Sequence, residues 1–303
     1  MSKANKGVYA AAITPIGANG EPDLNGLVRY CQHLLATGCD GVAPLGTTGE
    51  AASLPYPFRL SVPDALAKAG ILPGTVILGA GSPSTGDAIS LGRAALAAGY
   101  PNLLVLPPYY TKGPSEAGLY AYYASIIDAL GDDRLRLYLY HIPQVTAVAI
   151  PVTLVHRLRA AFGQIIAGIK DSSGSFESAK SYLGPEDFDV YPSTEAALSD
   201  ALEAGCAGVI SGSTNVSSDL AHQVLHARGP EREALQKKLT DFRQTIQKFP
   251  LIAAVKQVQA WRTNDPNWLR MLPPLDSLSP EQTTALKTEM ERLKMIGRSR
   301  EAA

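Results

Sequence analysis

Two hydrophobic rhythms alternate along this chain. Short runs of β-branched and apolar residues fall at 9–14, 40–45, 75–80, 102–107, 135–140, 165–170, 188–192 and 207–211. Between them lie longer amphipathic stretches near 23–37, 55–69, 85–98, 115–130, 151–162, 176–183, 194–204 and 216–227. Strands alternating with helices read as βαβ units around a parallel sheet, and eight such units predict an α/β fold of the (β/α)8 TIM-barrel type. Several helices stop at glycine just before the next strand, as in Ala36-Thr37-Gly38, Ala98-Gly99 and Ala204-Gly205, where a left-handed closing residue is required. Thr37-Gly38-Cys39-Asp40-Gly41-Val42 and Ala204-Gly205-Cys206-Ala207-Gly208-Val209 share one phrase, which fits repeated helix-to-strand joints.

Beyond about residue 228 the strand rhythm ends, and 230–249, 251–262 and 280–296 read as helices. Arg228-Gly229-Pro230 joins a glycine stop to a proline start. The expected organisation is therefore a catalytic barrel over 7–228 followed by a C-terminal helical region over 229–303.

Composition narrows the function. The chain has 303 residues, 46% of them hydrophobic and 18% charged, and its 27 basic residues are balanced by 28 acidic ones. That balance leaves no basic excess for a nucleic-acid backbone. The polar start Met1-Ser2-Lys3-Ala4-Asn5-Lys6 lacks a secretory apolar core, and the longest apolar runs, such as 103–106, fall far below the roughly 20 residues of a membrane span. A soluble cytoplasmic protein with no membrane partner is expected. Cys31, Cys39 and Cys206 form no CxxC pair, and the five histidines form no HExxH, so neither a disulfide framework nor a metal site is suggested. Gly79-Ala80-Gly81 lacks the third glycine of a dinucleotide fingerprint, Ser84 standing in its place, and no cofactor is expected.

Barrel enzymes of this type carry their chemistry at the C-terminal ends of the strands. That filter selects Thr14, the turn Gly46-Thr47-Thr48-Gly49-Glu50, Tyr109 and Tyr110, Tyr140, Lys170, and the stretch from Ser211 to Thr214. Lys170 ends the apolar run Ile165-Ile166-Ala167-Gly168-Ile169. Desolvation disfavours the charged form of a lysine, whose free pKa is about 10.4, and the neutral amine is the form that attacks a carbonyl. A lysine snorkelling to solvent at a strand end would look the same. The glycine-framed turn could converge its backbone N–H groups on a carboxylate, or could be an ordinary βα turn. Tyr140, in Tyr138-Leu139-Tyr140-His141-Ile142-Pro143, could shuttle a proton or merely sit at the wet edge of a core. The hydroxyls of Ser211 and Ser213 would suit a polyhydroxylated substrate, although Ser, Thr and Asn also favour a helix start.

Taken in order, the Gly46–Glu50 turn, Pro108-Tyr109-Tyr110, Tyr140 with Pro143, and Gly168-Ile169-Lys170-Asp171 resemble the dihydrodipicolinate synthase/N-acetylneuraminate lyase family of class I pyruvate-dependent aldolases. The resemblance spans roughly residues 7–227. It implies a carbon-carbon or carbon-oxygen lyase in which Lys170 forms a Schiff base with pyruvate, while Thr47, Tyr140 and Tyr110 relay protons. It further implies that Thr48 with its neighbours Gly46 and Gly49 holds the keto-acid carboxylate and that Ile210 lies near the substrate. Tyr110 would come from a neighbouring subunit, in a homotetramer or homodimer. One departure touches specificity. Dihydrodipicolinate synthases carry an arginine where this chain has Val145, and valine cannot clamp a carboxylate. His141 also stands where family members often have asparagine. The expected reaction joins or cleaves pyruvate and an aldehyde, on a 2-keto-3-deoxy sugar acid or related hydroxy keto acid. 4-Hydroxy-tetrahydrodipicolinate synthesis, dehydration through the same imine, and a non-enzymatic keto-acid sensor are the competing readings.

Overall fold

The computed structural model describes residues 6–297. Eight short parallel strands form the centre: β1 (Gly7–Ala10), β2 (Gly41–Val42), β3 (Leu78–Gly79), β4 (Asn102–Val105), β5 (Arg136–His141), β6 (Ile166–Asp171), β7 (Asp189–Pro192) and β8 (Gly208–Ser211). β1 pairs with both β2 and β8, and β3 to β7 pair in order. The two sets join into a closed ring. Ile77 N–H donates to Val42 C=O at 3.0 Å and Gly79 N–H to Pro44 C=O at 2.9 Å on one seam, while Ala207 N–H donates to Val190 C=O at 3.0 Å on the other. The (β/α)8 barrel is thus the fold.

Helices α1 (Leu24–Ala36), α2 (Tyr56–Lys68), α3 (Thr85–Ala97), α4 (Glu116–Leu130), α5 (Pro143–Thr146), α6 (Val152–Phe162), α7 (Phe176–Ser181), α8 (Leu198–Glu203) and α9 (Ser218–His226) alternate with the strands. The starts of α1, α3, α4 and α7 are fixed by Asp23, Ser84, Ser115 and Ser175, whose side chains accept backbone N–H groups of the first turn. Each such cap is worth about 1 kcal/mol. α10 (Gly229–Ile246), α11 (Leu251–Thr263) and α12 (Pro280–Arg292) follow, with α10 against α8 and α9 and α11 over the end of β8. Residues 298–303 of the expected C-terminal region lie outside the described residues. No helix among the described residues is long and apolar enough to cross a membrane.

The period-2 alternation of the strands separates two cores. Leu137 and Leu139 of β5 and Ile169 of β6 face the helices, where they join Leu27, Leu66 and Leu154. Tyr138 and Tyr140 face inward with Tyr9, Ile77, Leu104 and Tyr191. Each fully buried leucine or isoleucine contributes roughly 1.5–3 kcal/mol. Gly168 leaves the space that the Tyr138 ring occupies beneath Lys170, since a Cβ there would stand 2.8 Å from that ring and 2.3 Å from the Asp189 carbonyl.

Several boundaries differ from the expected ones. β2 and β3 are two residues each rather than six, because Pro44 donates no hydrogen bond, Leu45 adopts φ 60°, and a 3-10 turn, Pro73–Thr75, precedes β3. The ladder of β1 closes at Ala10 rather than at 14, after which Ile13 N–H bonds the Asn215 side chain. The helix expected over 194–204 divides into a 3-10 turn, Glu195–Ala197, and α8. α12 ends at Arg292 rather than 296, and the short α5 has no counterpart among the expected helices.

One buried ion pair fastens the C-terminal helices to the barrel. The Lys256 ammonium of α11 bonds the Glu50 carboxylate in the turn after β2, and both side chains are almost wholly enclosed. Burial lowers the Lys256 pKa below its ordinary value, and the Glu50 charge opposes that shift. Lys256 also donates to Arg270 C=O at 2.8 Å, and Glu50 Oε2 accepts Leu272 N–H at 2.8 Å. Replacing Lys256 with Met should therefore strand the Glu50 charge and cost about 3–5 kcal/mol in urea unfolding, whereas the Glu50→Gln, Lys256→Met double variant should recover part of that loss. A loss below about 1 kcal/mol in the single variant would contradict the strut.

Candidate active site

β6 carries Lys170 into the mouth of the barrel, directly beside Tyr140 on β5, with which it pairs in the ladder. Lys170 is 3% exposed and Tyr140 is likewise buried. Lys170 Nζ donates to Tyr140 Oη at 3.3 Å and lies 4.4 Å from the centre of the same ring. On its other side Tyr140 Oη meets Thr47 Oγ1, again at 3.3 Å. Three strand ends thereby deliver an amine, a phenol and a hydroxyl as one chain of hydrogen bonds. Burial alone would raise the Tyr140 pKa. The Lys170 charge and the hydrogen bonds from Thr47 and Lys170 outweigh it and hold the phenol below the ordinary tyrosine value.

These groups open into a cavity of about 860 Å³, lined also by Thr48, Ile210, Gly212, Ser193, Thr194 and Arg243. Met271, Pro274, Leu275, Asp276 and Ser277 form its cover. The Glu50–Lys256 pair holds Arg270 and Leu272, so the ion pair that anchors α11 also fixes the segment leading into the cover. Gly46 borders a second, apolar pocket of about 250 Å³ that shares Thr47 and Tyr140 with the first and is lined by Arg59, Tyr109 and Val145.

The turn after β2 is strained and is held in place by its surroundings. Leu45 and Glu50 both lie at φ 60°, a conformation that costs on the order of 1–3 kcal/mol for a side-chain-bearing residue. Gly79 permits this path, because a Cβ there would meet the Leu45 carbonyl at 2.0 Å.

Other expected site residues fall elsewhere. The Gly49 carbonyl accepts Thr14 Oγ1 at 2.7 Å, facing β1 rather than the cavity. Ser211 Oγ donates to Glu195 at 2.6 Å and meets Ser213 Oγ at 3.2 Å, so both hydroxyls belong to a buried cluster behind the cavity wall. Thr214 and Asn215 bond the backbone of β1 and β8 at Tyr9, Ala11, Ser211 and Gly212. Tyr110 is 84% exposed and stands apart from Tyr140 within its own chain. His141 points out of the barrel, where its Nδ1 accepts Ile150 N–H at 3.1 Å. Burial lowers its pKa, with Asp171 opposing, which suits a neutral ring with an accepting nitrogen. Sequence reasoning missed Lys256, Arg243 and the cover, all from the region after β8. Among the described residues no group of three or more His, Cys, Asp or Glu could hold a metal ion.

A barrel whose sixth strand delivers a buried amine against a phenol has the groups that Schiff-base lyase chemistry requires. The model of the dihydrodipicolinate synthetase family matches residues 4–293. An uncharacterized DapA-like lyase of Chloroflexus aurantiacus is 34% identical over 95% of this chain and 97% of its own length. Dihydrodipicolinate synthase of Agrobacterium tumefaciens superposes with a TM-score of 0.85 at 31% identity, over 95% of this chain and 99% of that one. YagE of E. coli K12, a prophage protein of the same family solved with pyruvate, gives 0.87 at 25% identity over 96% and 99%. The chain belongs to the dihydrodipicolinate synthetase family, whose members are lyases that work through a lysine Schiff base.

The Tyr140 environment yields a titration with a defined sign. In the native protein one phenol should ionise below the value of about 10 for free tyrosine, seen as a difference in ultraviolet absorbance against Tyr140→Phe. Lys170→Met removes the favourable charge and one hydrogen bond but leaves the burial, so the same phenol should move above that value. An unchanged titration in Lys170→Met would contradict the pairing.

Proposed function

We propose that this enzyme joins or cleaves pyruvate and a hydroxyaldehyde, taking a 2-keto-3-deoxy sugar acid or related hydroxy keto acid as its substrate, with Lys170 as the residue that forms the imine. The single observation that carries this reading is the Thr47–Tyr140–Lys170 chain at the strand ends. In the condensing direction the neutral Lys170 amine adds to C2 of pyruvate. The carbonyl oxygen departs as water, taking one proton from the nitrogen and one from Tyr140, and a protonated imine remains. That imine is an electron sink, so the Tyr140 phenolate can remove a proton from C3 and generate the enamine. C3 then bonds the aldehyde carbon, the aldehyde oxygen takes the proton back from Tyr140, and water hydrolyses the imine. Cleavage is the reverse.

Thr47 orients the phenol, and the turn carrying Thr48 takes the pyruvate carboxylate. Ile210 lies against the bound keto acid. Tyr110, exposed on its loop, reaches the relay of a neighbouring chain in a homotetramer or homodimer, which accounts for a large aromatic side chain left in solvent. We place the enzyme in the cytoplasm, where free thiols such as the buried Cys31, Cys39 and Cys206 persist. Residues 7–228 form its catalytic barrel, and the described residues after it, 229–297, form a helical region that covers the site.

Relatives named 4-hydroxy-tetrahydrodipicolinate synthase, such as that of a Synechococcus strain at 30% identity over 95% of both chains, point to aspartate semialdehyde as the rival aldehyde. Val145 argues against it. A panel of aldehydes assayed with pyruvate should give faster condensation with hydroxyaldehydes than with aspartate semialdehyde, and Val145→Arg should raise the latter roughly tenfold or more. Efficient use of aspartate semialdehyde by the parent protein would overturn the substrate assignment. Tyr140→Phe should lower kcat roughly 10²- to 10⁴-fold, as expected for loss of a proton-transfer group.

A further inference from the structure

We infer that Arg243 binds a carboxylate at the far end of the aldehyde partner, so that the preferred hydroxy keto acid is charged at both ends. This deepens the aldolase reading and rests on it. Arg243 extends from α10 to the cavity that holds Lys170, on the wall shared with Ser193, Thr194 and Gly212 at the ends of β7 and β8. Its Nη1 donates to Ser213 Oγ at 2.7 Å, which fixes the direction of the guanidinium. Its Nε is buried without a hydrogen-bond partner. That nitrogen is enclosed, so the part of the guanidinium that a ligand can meet is the edge bordering the cavity.

The nearby buried acid does not consume this charge. Glu195 accepts hydrogen bonds from the hydroxyls of Ser211 at 2.6 Å and Ser217 at 3.2 Å, and no ion pair joins it to Arg243 among the described residues. An arginine remains protonated in any protein setting, so a guanidinium on a cavity wall with unspent donors is suited to an anion, and a planar carboxylate matches its fork. The pyruvate carboxylate belongs to the Thr48 turn after β2. Gly212 at the end of β8 stands against that turn, since a Cβ on it would lie 2.9 Å from Thr48 Oγ1, so the wall carrying Arg243 continues from the carboxylate-holding turn, and the cavity of about 860 Å³ has room along it beyond pyruvate. Aspartate semialdehyde also ends in a carboxylate, but its ammonium would be brought beside the guanidinium, a repulsive pairing.

The test uses two aldehydes that differ in one group, 2-hydroxy-3-oxopropanoate and glyceraldehyde, each assayed with pyruvate, with glyceraldehyde 3-phosphate as a third arm. The parent enzyme should prefer the carboxylate in kcat/KM over both others. Arg243→Gln should reduce the preference over glyceraldehyde roughly 10- to 100-fold, chiefly through KM, and Arg243→Lys should retain an intermediate preference. Preference for the phosphate, or equal use of acid and neutral aldehyde by the parent, would overturn the proposal. A second measurement is independent of turnover: calorimetric titration with glycerate and with glycerol, the reduced forms of the first two aldehydes, in the presence of pyruvate. Glycerate should bind the parent and lose affinity in Arg243→Gln. Equal binding to both proteins would sink the Arg243 site, whereas failure to condense pyruvate with any aldehyde would sink the aldolase reading alone.

Discussion

Everything at the barrel mouth follows from enclosing the Lys170 amine. A lone ammonium taken out of water costs several kcal/mol, and such a group persists only when its surroundings compensate or when it sheds its proton. The partners recorded for Lys170 are the Tyr140 hydroxyl and the Tyr140 ring. The Lys170 charge and the hydrogen bonds around the phenol hold Tyr140 below the ordinary tyrosine value despite its complete burial. Strand pairing sets their separation: Tyr140 and Lys170 are register partners on β5 and β6, so the contact is a consequence of the ladder rather than of flexible side chains finding each other. A barrel thereby converts backbone hydrogen bonding into the placement of an enclosed amine.

The same site depends on the buried ion pair farther out. Glu50 belongs to the strained turn that presents Thr47 and Thr48, and Lys256 belongs to α11. Through Arg270 and Leu272 their hydrogen bonds extend to the segment that covers the cavity. The helices after β8 are thus part of the site: they supply its cover, a wall residue in Arg243, and the counter-charge that lets an acid sit inside the turn. Two buried ions cost more to desolvate than one, and the arrangement holds because each has additional backbone partners.

The extent to which sequence disclosed this architecture varied with the physics of each part. Alternation with period two separates inward from outward residues, so the strands and the strand ends near which Thr47, Tyr140, Lys170 and Ile210 lie were legible once a barrel was inferred. β2 and β3 were misjudged in length because Pro44 and the left-handed Leu45 interrupt pairing without interrupting the apolar run. Ser211 and Ser213 looked like substrate contacts because a hydroxyl at a strand end carries no mark of its partner, and here the partner is Glu195, 16 residues away from Ser211. Lys256 and Arg243 were invisible for a related reason: each sits in a helix among ordinary polar positions, and its meaning comes from a group brought near only by folding. Glu50 and Lys256 are separated by 206 positions.

The role proposed for Lys170 is to form the covalent bond to the keto acid. Borohydride reduction in the presence of pyruvate, followed by peptide mass analysis, tests it most directly. The expected result is one reduced pyruvyl adduct per chain, on the peptide containing Lys170, and none in Lys170→Met. Absence of an adduct in the parent protein, or an adduct on another lysine that survives Lys170→Met, would contradict it.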